Sequence, residues 1–297
     1  MYESFKENRQ IKYKGNILFK LPYKFHRGCA VIYNNRLHIL GGYSFEGYEG
    51  TRHYSWDGTS WRWESTLPYS FDSGSAVVYN GKIHILGGVD NRRNHYVWDG
   101  TTANDSSHWS SVATLPMDFY GTALVYNNEL QALGLGQNSV NNYYHYVFNG
   151  TTWQQASIIK DTTYNEVAEN VNWYSSCIVY NNSIYVMSKV RALKWNGTTW
   201  ARTTTDFRNS YASHPILYNN YIYYIGGNID ERFHYELEGG FIEKSELTGT
   251  TVDYLHRGIP YSFHEGAVVE YNANLYLIGG EKSPYALFNL SLSNNFI

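Results

Sequence analysis

The sequence predicts an all-β fold: a six-bladed β-propeller with four antiparallel strands per blade, filling residues 1–297 as a single domain. Three observations lead there. A 22-residue phrase recurs almost unchanged, "LPYKFHRGCAVIYNNRLHILGG" at 21–42 and "LPYSFDSGSAVVYNGKIHILGG" at 67–88. A tyrosine followed by asparagine closes an apolar run six times, at Tyr33, Tyr79, Tyr126, Tyr180, Tyr218 and Tyr271, with spacings of 46, 47, 54, 38 and 53 residues. A period of about 50 residues belongs to stacked supersecondary units that bury their faces against one another. Finally, aromatic residues make up 18% of the chain and charged residues only 16%, a balance that suits pleated surfaces.

Each repeat can be read in order. The apolar run, "SAVVY" in the second copy, is expected to be a first strand buried on both faces. The Asn-Asn or Asn-Gly pair after it suits a two-residue hairpin, because both residues tolerate positive φ. A second strand such as "KIHIL" then ends at a glycine pair, Gly87-Gly88, that frees the backbone for a sharp exit. The third strand, "HYVW", leads to an Asp-Gly or Asn-Gly turn and a fourth strand; the turn recurs as "WDGTSW" (56–61), "FNGTTW" (148–153) and "WNGTTW" (195–200). Four antiparallel strands repeated around an axis leave only short, protected edges.

The glycine pair after strand two, the Tyr or Trp in strand three and the Trp in strand four resemble kelch repeats. The resemblance runs from about residue 16 to the C-terminus. It departs at "GLG" (134–136) and "MSK" (187–189), which stand in place of the glycine pair, and at Phe241, read as replacing the fourth-strand Trp of the fifth copy. The sixth copy offers three strands only, while "YKGNILFKLP" (13–22) matches the tail of a repeat. The N-terminal segment 13–22 is therefore expected to pair with the last blade and close the ring.

Composition excludes several classes. A net charge of −3 and a pI near 6.4 supply no electrostatic footprint for nucleic acid. The N-terminal "MYESFKENRQIKYKGN" lacks the apolar core of a secretory signal, and no run approaches the length of a membrane span. The expectation is synthesis in the cytoplasm without a signal peptide and without membrane insertion. Two cysteines, Cys29 and Cys177, do not make a disulfide framework and read as small buried hydrophobes.

The varied letters are where recognition is expected. Strand direction places the linkers into each first strand on one face, together with the loops joining strands two and three. Counting seven and six residues back from each anchor tyrosine gives His26-Arg27, Asp72-Ser73, Phe119-Tyr120, Trp173-Tyr174, Tyr211-Ala212 and His264-Glu265. Ten of these, His26, Arg27, Asp72, Phe119, Tyr120, Trp173, Tyr174, Tyr211, His264 and Glu265, are the candidate ligand-binding residues. Stacked aromatics with a few convergent polar groups form the usual concave binding site. The competing reading is that the aromatics fill wedges between blades and that Arg27 and Glu265, on neighbouring blades, form a rim ion pair. Segments 43–55, 157–175 and 248–263 are read as long loops on the same face, where function concentrates.

Catalytic motifs are absent: no GxSxG, no HExxH, no glycine-rich loop opening a helix. His38, His84, His53 and His95 recur at repeat positions and read as scaffold, so neither metal nor cofactor is expected. The kelch resemblance implies two kinds of function. Similarity to phage tail and adhesion proteins of low-GC bacteria implies a non-catalytic, virion-associated recognition module that binds a cell-surface glycan or protein ligand and contacts other tail proteins. Similarity to sialic-acid mutarotases implies a sugar isomerase, with Glu265, His264, His26 and Arg27 as the catalytic set. A purely structural protein–protein component is the third reading.

Overall fold

The structure, a computed structural model, describes residues 17–43, 49–136, 143–161, 166–167, 176–187, 192–203, 214–218, 221–225, 240–245, 252–259, 263, 265–280 and 284–290. It is an all-β propeller of four-stranded antiparallel blades. Sheet one holds β2 (Cys29–Tyr33), β3 (Arg36–Leu40), β4 (Arg52–Trp56) and β5 (Trp61–Thr66). Sheet two holds β6 (Ser75–Tyr79), β7 (Lys82–Leu86), β8 (His95–Trp98) and β9 (Trp109–Ser111). Sheet three holds β10 (Asp118–Tyr126), β11 (Glu129–Gly136), β12 (Tyr144–Phe148) and β13 (Trp153–Ile158). A short ladder of β14 (Lys160–Asp161) and β15 (Glu166–Val167) follows.

Sheet four holds β16 (Ser176–Tyr180), β17 (Ser183–Met187), β18 (Ala192–Trp195) and β19 (Trp200–Arg202). Sheet five holds β20 (His214–Tyr218), β21 (Tyr221–Ile225), β22 (Gly240–Ser245) and β23 (Val252–Ile259). In the last sheet β24 (Ala267–Tyr271), β25 (Asn274–Ile278) and β26 (Ala286–Leu290) are joined by β1 (Ile17–Lys20), which pairs antiparallel with β26 at Ile17↔Phe288, Phe19↔Leu287 and Lys20↔Ala286. The first strands neighbour one another in the order β2, β6, β10, β16, β20, β24 and back to β2.

The hairpins follow their turn chemistry. Asn34-Asn35, Asn80-Gly81, Asn127-Asn128, Asn181-Asn182 and Asn272-Ala273 all have positive φ, between 44° and 68°. Both central residues of a type I′ turn need this, and the twist of that turn matches the strands it joins. Three of the anchor tyrosines reach from one sheet to the first turn of the next. Tyr126 Oη donates to the Asn182 carbonyl (3.1 Å), Tyr218 Oη to Ala273 (3.1 Å), and Tyr271 Oη to Asn35 (3.0 Å), the last joining sheet six to sheet one.

In sheets one and two the second strand is more buried than the first. β3 and β7 are buried at four of five positions, whereas β2 and β6 are mostly half-buried. The expectation for "SAVVY" is corrected on this point: an innermost strand faces the axis, so a complete apolar cover falls to the strand behind it. Between sheets the wedges fill with aromatics, among them Trp56, Trp98 and Trp200, each about 1% exposed. Large rings of this kind contribute on the order of 2–3 kcal/mol each when buried.

Two further expectations are corrected in sheet five. Phe241 lies on the third strand, β22, not the fourth, and residues 252–259 form the fourth strand, not a loop. Likewise, residues 52–55 belong to β4 and 157–158 to β13.

Candidate functional site

The site is built by a short pattern, Phe-x-x-Gly, just before the first strand of three sheets: Phe25…Gly28, Phe71…Gly74 and Phe263…Gly266. The phenylalanines are 0–1% exposed. Each glycine lies beneath its ring. A Cβ at Gly28, Gly74 or Gly266 would stand 2.5, 2.2 or 2.4 Å from the ring Cε2, and 2.8 Å from the carbonyl oxygen of Leu40, Leu86 or Ile278. With both ends fixed, the two residues between are held at the mouth. The second of them adopts left-handed backbone although it is not glycine: Arg27 (φ 59°), Ser73 (φ 56°) and Glu265 (φ 57°). This conformation costs an L-residue about 1–2 kcal/mol.

Backbone hydrogen bonds between sheets offset that cost. The Arg27 amide donates to the Glu265 carbonyl (2.6 Å), and the Ser73 amide to the Arg27 carbonyl (2.8 Å). A belt thus runs from sheet six through sheet one to sheet two. The loops after the second strands lie beside it, because the Tyr43 amide donates to the His26 carbonyl and the Val89 amide to the Asp72 carbonyl, both at 2.8 Å. Linkers and loops share one face, as strand direction requires.

Side chains meet along this belt. Arg27 Nε donates to Ser73 Oγ (2.9 Å) and lies 2.9 Å from Asp72 Oδ1, while Ser73 Oγ donates to the same carboxylate oxygen (2.9 Å). The Arg27 guanidinium covers the Tyr43 ring at 5.0 Å, and the His26 ring meets the edge of Tyr43 at 5.3 Å. His26 Nδ1 faces Glu265 Oε2 at 3.5 Å. Arg27 and Glu265 are therefore bonded through their backbones, while their side chains take other partners: Arg27 pairs with Asp72 and Glu265 with His26. Burial holds the Asp72 carboxyl above the usual carboxylate range, with Arg27 and Ser73 pulling it back. Glu265 retains the most solvent access of the four, at 35% of its side chain.

Five expected positions, His26, Arg27, Asp72, Ser73 and Glu265, thus come together from three consecutive sheets. Phe119 does not join them. It is 3% exposed and packs with Leu86, Leu115, Ala123 and Leu130. The third linker reads Asp118-Phe119-Tyr120-Gly121, with Asp118 at the phenylalanine position. Phe119 fills the wedge against Gly87 in its place, where a Cβ would lie 2.8 Å from the ring. The side chain of Tyr120, and Trp173, Tyr174, Tyr211, Ala212 and His264, lie outside the described residues.

Four buried histidines form a second polar system inside sheets one and two. His38 Nδ1 meets His53 Nε2 (2.9 Å), and His84 Nδ1 meets His95 Nε2 (2.9 Å). Burial depresses these imidazoles: His38 and His84 to about 4, and His95 to about 3. They are neutral scaffold. Both cysteine thiols are free and pushed up by burial to about 12, which removes them as nucleophiles. Among the described residues no group of three His, Cys, Asp or Glu side chains is placed to hold a metal ion. Among the described residues no helix is long and apolar enough to cross a membrane.

The fold and this mouth define a β-propeller with an acid–base cluster at one face. Among solved structures the fold is similar to the one titled "Structure of YjhT", with a TM-score of 0.66 and 13% sequence identity over 95% of this chain and 98% of that one. No protein-family model matches the sequence, and no curated protein does.

Proposed function

We propose that the mouth formed by His26, Arg27, Asp72, Ser73 and Glu265 acts on a small sugar as an isomerase of the mutarotase kind. The observation that carries this reading is the His26–Glu265 pair, a partly exposed carboxylate 3.5 Å from an imidazole, held by a strained backbone at the seam of two sheets. Ring opening at an anomeric centre needs one group to take the anomeric hydroxyl proton and another to protonate the ring oxygen as its carbon–oxygen bond breaks. Reclosure on the other face reverses both transfers. In this account Glu265 is the base and His26 the acid. Arg27, oriented by Asp72 and Ser73, binds substrate oxygen atoms. The kelch-type, six-sheet ring closed by β1 is part of the proposal, since it brings sheet six against sheet one, and the fold shared with YjhT supports it.

The test is two-dimensional exchange NMR on reducing sugars, neutral and acidic, with sialic acid among them. Anomer interconversion faster than in buffer, lost in Glu265→Gln, supports the isomerase. A rate equal to buffer for every sugar sinks it.

A second reading rests on the satisfaction of Arg27 by Asp72 and Ser73: a mouth whose charges are already paired suits recognition without chemistry. It would then be a phage tail or adhesion module for a cell-surface glycan. Glycan-array binding without anomer exchange selects this reading.

A further inference from the structure

Sheets one and three carry the same buried hydrogen-bond chain, and each crosses into the next sheet. In sheet one it runs from His38 Nδ1 to His53 Nε2 (2.9 Å), from His53 Nδ1 to Ser65 Oγ (2.9 Å), and from Ser65 Oγ to Trp109 Nε1 of sheet two (2.9 Å). In sheet three Gln131 Oε1 meets His145 Nε2, His145 Nδ1 meets Ser157 Oγ (3.3 Å), and Ser157 Oγ meets Trp200 Nε1 of sheet four (2.9 Å).

An indole nitrogen only donates, so the serine hydroxyl accepts from Trp and keeps its own proton and a second lone pair for the imidazole. Gln131 sets the direction of that last link in sheet three. Its Nε2 donates to the Tyr126 carbonyl (3.4 Å), which leaves Oε1 to accept from His145 Nε2–H. Nδ1 of the neutral ring is then bare and takes the Ser157 proton. The same arrangement is assigned to the matching chain of sheet one.

Sheet two has both ends of this chain and lacks its middle. His84 and His95 repeat the histidine pair, and the Trp153 ring lies 5.4 Å from His95, as Trp109 lies 5.9 Å from His53 and Trp200 lies 5.8 Å from His145. The pairing registers place the missing hydroxyl. Tyr54↔Trp63 precedes His53↔Ser65, and Tyr146↔Gln155 precedes His145↔Ser157, with one bulged residue in each fourth strand. In sheet two Tyr96 pairs with Ser111. The same step over Val112 arrives at Ala113, which packs in one cluster with Trp153. His95 is 1% exposed, and its Nδ1 and the Trp153 Nε1 have no hydrogen-bond partner among the described residues.

We infer that the junction of sheets two and three holds one internal water molecule beside Ala113, accepting from Trp153 Nε1 and donating to His95 Nδ1. A buried polar pair of this kind is costly to leave unpaired, and the two atoms demand an occupant that both donates and accepts. Water does so, and a neutral alcohol hydroxyl shares that chemistry. The site is separate from the mouth and does not depend on the function proposed there.

Crystallography of wild type and Ala113→Ser tests it, together with long-range ¹H–¹⁵N spectra of the histidines. The expected result is an ordered water within about 3.2 Å of both nitrogens in wild type, replaced in the variant by the serine hydroxyl at the same point. Tm should rise by roughly 2–4 °C, and His95 should be protonated at Nε2 alone in both proteins. A dry junction, a proton on His95 Nδ1, or a serine that lowers Tm would overturn the assignment.

Discussion

Replacing His38 with glutamine isolates what the buried imidazoles do to acid stability. Gln131 already occupies the equivalent place in sheet three and accepts from His145 as His38 accepts from His53. The substitution therefore keeps the hydrogen bond and deletes a titrating group. Burial lowers the His38 pKa from 6.5 to about 4, against which Glu64 pulls upward while Arg36 and Arg62 push further down. Because the folded value is depressed, the unfolded chain binds a proton that the folded chain refuses. Stability is intact above about pH 6.5 and is lost as pH falls from there toward 4.

The slope is about 1.4 kcal/mol per pH unit for each such group, so His38 removes about 2 kcal/mol between pH 6.5 and 5. His53, His84, His95 and His145 are depressed by burial in the same way. Each adds a loss of the same sign, so wild type should lose stability progressively as pH falls below about 6.5. Urea unfolding followed by tryptophan fluorescence measures this at each pH. His38→Gln should match wild type within about 1 kcal/mol at pH 7.5 and exceed it by about 2 kcal/mol, relative to that offset, at pH 5. Stability curves that run parallel from pH 7.5 to 5 would refute the reasoning.

Two other outcomes follow from the backbone. Ala273 holds a left-handed position (φ 58°) that Asn35, Gly81, Asn128 and Asn182 fill elsewhere, so Ala273→Asn should stabilise by about 0.5–1 kcal/mol in thermal melts. Gly74→Ala places a Cβ 2.2 Å from Phe71 Cε2 and 2.8 Å from the Leu86 carbonyl. It should cost at least about 2 kcal/mol, and a neutral result in denaturant titration would contradict the Phe-x-x-Gly device.

Much of this was legible in the sequence because the repeat is local. The Tyr-Asn anchors and Asn-Gly turns marked the hairpins of the sheets, and the linker count found His26, Arg27, Asp72, Ser73 and Glu265. Two kinds of fact were not legible. Phe119 was placed at the mouth because counting back from an anchor assumes equal linkers, while the third linker shifts its wedge phenylalanine by one residue; Phe241 was matched to the fourth-strand Trp of the repeat, whereas it lies on the third strand, β22. The histidine chains were recognised only as scaffold. Ser65 and Trp109 are 44 residues apart, and the bulge that brings Ser65 opposite His53 leaves no mark on the local pattern. The Phe-x-x-Gly signal was in view in three copies, yet only the packing of ring on glycine explains why the two residues between them are presented.

The convergence of Glu265 with His26 and Arg27 depends on β1 completing the last sheet and on Tyr271 reaching Asn35 across the seam. Removing residues 1–20 takes away β1 and leaves the buried Leu21, Tyr23 and Phe25 in place. Hydrogen exchange at the amides of residues 286–290, measured alongside thermal melting, is the direct measurement. The account predicts fast exchange there, a Tm lower by roughly 10 °C from the lost ladder, and recovery of both when a peptide spanning 13–22 is added back. Unchanged protection of those amides and an unchanged melting point would contradict it.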